Sequence, residues 1–129
     1  MTKLFAPESY WKAPASLVKE VCNGCGTKGL GGWLVPETLY GLSITEACQI
    51  HDWMYWEGKT IFDKQSADRA FLNNMLRIIE NESIGILKQL RRGRAIKYYG
   101  AVVDFGGPAF WKNKNKPEEM GIMKIEVAT

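Results

Sequence analysis

Histidine and cysteine are scarce in this chain, and long apolar runs are missing. With one histidine, His51, any chemistry that needs a neutral base near pH 7 is confined to a single position. Three cysteines, Cys22, Cys25 and Cys48, are too few for a disulfide framework and leave an odd thiol in any pairing, which favours a reducing compartment. No stretch approaches the roughly 20 apolar residues of a membrane span. Met1 to Glu8 holds one positive charge and no apolar h-region, so the expectation is cytoplasmic synthesis without a classical secretory signal. Internal repeats and low-complexity blocks are also lacking. Residues 1–129 therefore read as one domain, and 46% hydrophobic with 24% charged residues is enough for a core without cross-links.

The net charge of +3 is unevenly spread. Residues 1–82 hold eight basic and ten acidic side chains, whereas 83–116 hold eight basic and only Asp104. The basic excess thus lies between Lys88 and Lys116, in a basic helix and tail over 83–129, and such a patch attracts phosphate on lipid or on nucleic acid.

Along the chain, residues 1–14 read as an extended arm with Pro7, Pro14 and the pair Tyr10-Trp11, followed by a short helix from Ala15 to about Val21. Five glycines between Gly24 and Gly32 make a loop able to aim carbonyls and amides inward. Trp33, Leu34 and Val35 close it. Ser43 and Glu46 have capping-box spacing, which starts a helix from about Ile44 to Trp56, stopped by Gly58. A second helix is expected from about Lys64 to Glu80 and a third from Ser83 to Phe105, bent near Gly93 and Gly100, with Ile86, Leu87, Leu90, Ile96, Tyr99, Val102 and Val103 on its apolar side. Gly106-Gly107-Pro108 ends it. A loop follows, then a strand or ordered tail over 121–127.

Within the first long helix, Cys48, His51, Asp52 and Tyr55 recur at i, i+3, i+4 and i+7 and line one strip about 10 Å long. The strip suits a site, and it also suits an ordinary amphipathic helix with one partly buried histidine. Asp68 sits in the apolar stripe of the next helix, three and four residues before Phe71 and Leu72. An unpaired carboxylate there costs several kcal/mol to bury, so it needs a partner unless it lies at the stripe's edge near the helix start.

Two metal readings compete for these residues. Cys22-x-x-Cys25 with Cys48-x-x-His51 gives a Cys3His set with zinc-type spacing, which would make the chain a small binding module with a basic helix for nucleic acid. The other uses oxygen: loop carbonyls plus the Asp52 carboxylate suit calcium, with His51 beside the ion as general base for a water and Asp68 holding the other imidazole nitrogen. That second arrangement requires the free nitrogen of His51 to face an open, water-accessible place.

Gly29-Leu30-Gly31-Gly32 with Pro36, then Cys48-Gln49-Ile50-His51-Asp52-x-x-Tyr55, then Ala67-Asp68-Arg69-Ala70-Phe71 resemble the calcium loop and the two active-site helices of the phospholipase A2 superfamily, most strongly over residues 23–75. The resemblance implies a mainly α fold with two antiparallel active-site helices and a glycine-rich calcium loop. It implies calcium-dependent hydrolysis of a phospholipid acyl ester, with His51 as base, Asp68 as its orienting partner and Tyr55 supporting Asp68. The calcium ion would be held by Asp52 and by the carbonyls of Thr27, Gly29 and Gly31. Cys25 and Cys48 would be placed to pair under oxidising conditions, leaving Cys22 free. The cysteine-rich framework of the animal secreted enzymes is missing, and the sequence is closer to the prokaryotic, fungal and viral-capsid branches. Arg91, Arg92, Arg94 and Lys97 with Trp33, Leu34 and Val35 would suit work at an anionic membrane surface. A catalytically silent domain of the same fold is the remaining expectation.

Overall fold

The computed structural model of the chain describes residues 2–22, 35–112 and 114. Their helices are α1 (Glu8–Lys12), α2 (Ala15–Val21), α3 (Thr45–Glu57), α4 (Ile61–Glu82), α5 (Gly85–Phe105) and α6 (Gly107–Trp111). A hairpin of β1 (Thr38–Leu39) and β2 (Leu42–Ser43) precedes α3. The described part is mainly helical.

Helix α3 is the axis of the packing. Ala47, Cys48 and Tyr55 face the main core, built with Phe71, Met75, Ile79, Ala95, Val102 and Phe110. Ile50 and Trp53 face a second cluster with Tyr10 and Cys22. Covered on two sides, α3 draws its polar residues His51 and Asp52 into the interior with its apolar ones.

Residues 58–60 turn the chain from α3 into α4, and Gly58 is needed there because a β-carbon would stand 2.8 Å from Phe110 Cε1 and 2.9 Å from Asp63 Cβ. Tyr55 lies beside Lys64 while His51 meets Asp68 and Phe71, so α4 runs antiparallel to α3. Glu80 meets Lys88 and Arg92 while Lys64 reaches Val102 and Val103, so α5 runs back along α4.

Several expected elements are displaced. Residues 8–12 form α1 where an extended arm is expected: Tyr10 is buried against Trp53 and Trp11, and Pro14 holds Ala13 extended, which stops the helix. Ser43 does not start a capping box, because it lies in β2 and its hydroxyl bonds Thr45; α3 begins after Ile44 with no side-chain cap. The box forms instead at α4, where Thr60 Oγ1 accepts from Asp63 N at 3.1 Å and Asp63 Oδ2 accepts from Thr60 N at 3.0 Å and Lys59 N at 2.8 Å. Asp63 is held below the usual carboxylate range, first by the Lys59 amide. With that cap α4 starts at Ile61, ahead of Lys64.

Helix α5 is continuous through Gly93 and Gly100. Its buried strip is Ala95, Tyr98 and Val102, whereas Ile86, Leu87, Leu90, Ile96 and Val103 are exposed, contrary to the apolar side read from the sequence. Polar anchors set its rotation. Arg91 Nε donates to Leu39 O (2.9 Å), its Nη2 to Tyr40 O (2.8 Å) and its Nη1 to Ser83 Oγ (2.7 Å), while Tyr98 Oη donates to Thr38 O (2.8 Å). These bonds also hold the hairpin, which with two residues per strand could not stand alone. Its tip residues Tyr40 (φ 48°) and Gly41 (φ 82°) both have positive φ, the two-residue turn that matches strand twist. After Gly106 a further helix, α6, forms where a loop is expected, with Phe110 and Trp111 buried. The loop of 23–34 and the segment 121–127 lie outside the described residues.

Asn74, fully buried on α4, pins the N-terminal arm by donating to Phe5 O (2.8 Å) and accepting from Phe5 N (2.7 Å). Asn74→Ala strips both partners from a part-buried peptide and should cost about 1–3 kcal/mol. Chemical denaturation measures this, and faster amide exchange at Phe5 should accompany it; an unchanged midpoint would mean the arm is held elsewhere.

Candidate active site

Asp68 is buried on α4 and accepts three hydrogen bonds from three side chains. His51 Nε2 lies 2.7 Å from Oδ1, Tyr55 Oη donates to Oδ1 at 2.7 Å, and Lys64 Nζ donates to Oδ2 at 2.8 Å. The partner that the sequence demands for this carboxylate is therefore present, 17 residues back on the antiparallel helix. Burial alone would push the Asp68 carboxyl upward. The hydrogen bond from His51, then those from Lys64 and Tyr55, outweigh it and hold the group below its ordinary value.

An ionised carboxylate can only accept, so the His51 proton sits on Nε2 and the lone pair on Nδ1. His51 has no exposed surface, and burial lowers its proton affinity below the ordinary value against the opposing pull of Asp68, with the Lys64 charge adding to the lowering. The imidazole is thus neutral at pH 7. Its ring lies between Tyr55, with centroids 4.2 Å apart, and Phe71, at 4.8 Å. Burial first, and then Asp68's charge, raise the Tyr55 hydroxyl, which stays protonated as a donor. The end of α5 leaves space for that hydroxyl only because residue 106 is glycine: a β-carbon there would stand 2.5 Å from Tyr55 Oη.

His51 Nδ1 is the one buried side-chain nitrogen or oxygen without a hydrogen-bond partner among the described residues. Here the expectation of an open nitrogen needs correction. Nδ1 is enclosed, since His51 sits on a helix covered from both sides rather than on one with a solvent face. A buried acceptor left without a donor is costly, and such an atom marks a place for a water or ligand.

Asp52, the next residue on α3, is buried, and its negative charge is felt at Cys22. The expected carbonyl ligands at Thr27, Gly29 and Gly31 lie outside the described residues, and among those described no group of three or more His, Cys, Asp or Glu could hold a metal. The cysteines described are poor zinc ligands. Cys48 is disulfide-bonded and so offers no thiolate, while Cys22 is free but buried, its thiol pushed up to about 12 by burial and then by Asp52. The expected disulfide partner, Cys25, lies outside the described residues.

The basic residues of α5 are largely engaged within the molecule. Lys88 and Arg92 both bond Glu80, Arg91 holds the hairpin, and Arg94 donates to Tyr40 Oη (2.9 Å) with its guanidinium 4.6 Å from the ring centre. Of the apolar trio expected at a membrane, Val35 is buried, and Trp33 and Leu34 lie outside the described residues. Lys64 is not among the residues expected of the site, although its i−4 spacing from Asp68 on one helix is legible in the sequence.

No family model, curated protein or solved structure matches the chain.

Because Asp68 is depressed in the fold, the stability it contributes is present above the unfolded-state value of 3.8 and is lost as pH falls below that through the folded value. Denaturation of wild type and Asp68→Asn across pH 7 to 2 should show the variant less stable at pH 7 and flatter below pH 4. Asp63 and Glu80, also depressed, titrate in both proteins and drop out of the comparison. Parallel curves would mean that Asp68 is not the acid-labile group.

Proposed function

We propose that the chain hydrolyses a phospholipid acyl ester in a calcium-dependent reaction, on a phospholipase A2-like arrangement of α3 and α4. The observation that carries this reading is the orphaned Nδ1 of a neutral histidine whose Nε2 is bound to a buried carboxylate. A water bound at Nδ1 would be both its missing partner and the nucleophile. His51 takes a proton from that water as the oxygen adds to the ester carbonyl, and Asp68 stabilises the resulting imidazolium without itself taking the proton. The same proton then passes from Nδ1 to the departing alcohol oxygen as the ester C–O bond breaks, leaving a free fatty acid and a lysophospholipid. Tyr55 holds Asp68 in place throughout. Calcium, when bound, supplies Lewis-acid polarisation of the ester carbonyl, and Asp52 would give it one carboxylate oxygen.

The exposed aliphatic side chains of Ile84, just before α5, and of Ile86, Leu87 and Leu90 in its first turns, together with the exposed Lys97, support contact with an anionic lipid surface. The enclosure of Nδ1 favours a second reading, a catalytically silent domain of the same kind, because substrate reaches that nitrogen only where the chain around it yields space. The zinc-stabilised nucleic-acid module loses support with Cys48 in a disulfide.

Wild type with calcium and anionic vesicles should release fatty acid. His51→Gln should lower turnover by at least about 100-fold, because it deletes proton transfer. Calcium should raise the melting temperature of both proteins alike. Undiminished turnover in the variant would place the chemistry elsewhere, and a folded, calcium-binding wild type without turnover would favour the silent domain.

A further inference from the structure

Lys64 takes no part in the proton transfers above, yet its ammonium is buried beside them, with 6% of the residue exposed. Its nitrogen donates to Asp68 Oδ2 at 2.8 Å, to Val102 O at 3.1 Å and to Val103 O at 3.3 Å, which uses all three of its hydrogens. We propose that Lys64 is a positioning residue for the His51–Asp68 pair: by holding Oδ2 it turns the carboxylate so that Oδ1 faces the imidazole, and it ties that orientation to the end of α5. The inference rests on the reading of His51 as base.

Three features carry it. The carboxylate oxygens divide their work, with His51 and Tyr55 both on Oδ1 and Lys64 on Oδ2. Without the ammonium, Oδ2 would be a buried oxygen lacking this donor, and rotation about the Cβ–Cγ bond would be opposed from the Oδ1 side alone. Next, Lys64 is a formal cation bonded directly to Asp68 with both side chains buried, and a carboxylate in the interior stays ionised only with such partners. Finally, Val102 and Val103 belong to the last turn of α5, whose carbonyl end is negative, so a cation is stabilised there; Val102 O takes the ammonium in addition to the Gly106 amide at 2.9 Å. A lysine four residues before an aspartate on an exposed helix face would be solvated and free to swing. This one is enclosed by α3, α4 and α5, and lies 5.7 Å from the centre of the Tyr55 ring.

The test uses the full chain with Lys64→Met, which keeps bulk without charge, and Lys64→Gln, which keeps a donor without charge. Kinetics on anionic phospholipid vesicles with calcium are read together with solvent exchange of the His51 Nε2 proton by NMR. Lys64→Met should lower kcat at least tenfold with KM within twofold, Lys64→Gln should recover part of the loss, and in an Asp68→Asn background Lys64→Met should change kcat less than twofold, because its effect passes through the carboxylate. The Nε2 proton should exchange at least tenfold faster in Lys64→Met than in wild type. Equal kcat losses in the two backgrounds, or unchanged exchange in a folded variant, would overturn the proposal. If Lys64→Met does not fold, Lys64→Gln carries both measurements, with a smaller loss of the same pattern. If wild type shows no hydrolysis, the functional reading fails by itself. Exchange then decides the role of Lys64 alone, faster exchange upholding it and unchanged exchange ending it.

Discussion

A carboxylate in the middle of a helix bundle is the constraint on which the arrangement depends. Asp68 faces inward from α4 with Ala67, Phe71 and Met75 around it, and an ionised group in that position is tolerated only with a full set of donors. Those donors come from two helices, His51 and Tyr55 on α3 and Lys64 on α4 itself, and Lys64 extends the network to α5. A slip of α3 against α4 would strip Asp68 of two donors at once. Gly106 and Gly58 answer the same demand for closeness, one giving space to the Tyr55 hydroxyl and the other to Phe110.

Much of the centre was legible in the sequence. Asp68 in an apolar stripe calls for a partner, and a lone histidine on a strip with Tyr55 is the obvious one; the antiparallel pairing of α3 and α4 puts them in contact. The helices α2, α3 and α4 follow from periodicity and from Gly58. What was not legible turns on competition that spacing does not reveal. Ser43 and Glu46 have the spacing of a capping box, but Ser43 is taken up by a hairpin whose own stability comes from Arg91 and Tyr98 far along the chain. The rotation of α5 differs from its hydrophobic pattern for the same reason. Its bulky aliphatic residues outweigh Ala95 in any hydrophobic pattern, while the bonds of Arg91, Tyr98 and Lys64 decide which side faces in. Lys64 itself looks like half of a surface ion pair until α5 is laid over it. Asn74, which holds the arm, carries no sequence signal beyond being polar in an apolar stripe.

The network has a chemical consequence. Asp68 and Tyr55 fix the imidazole, and burial with the nearby ammonium keeps it neutral, so the site holds a base of reduced proton affinity rather than a charged pair. Such a group is unprotonated at neutral pH and is a weak base, so the proposed hydrolysis would depend on an electrophile that makes the water more acidic or the carbonyl more reactive. Enclosure of Nδ1 is the opposing fact, because the proposed reading needs water and ester to reach an atom that the surrounding helices cover.

The claim beneath all of this is that a buried, ionised Asp68 dictates which nitrogen of His51 is the base. Imidazole 15N NMR of the folded protein at pH 7 measures it directly. The account predicts a proton on Nε2, hydrogen-bonded and slow to exchange, with Nδ1 carrying the shift of an unprotonated nitrogen. A proton on Nδ1, or an imidazolium at that pH, would contradict it.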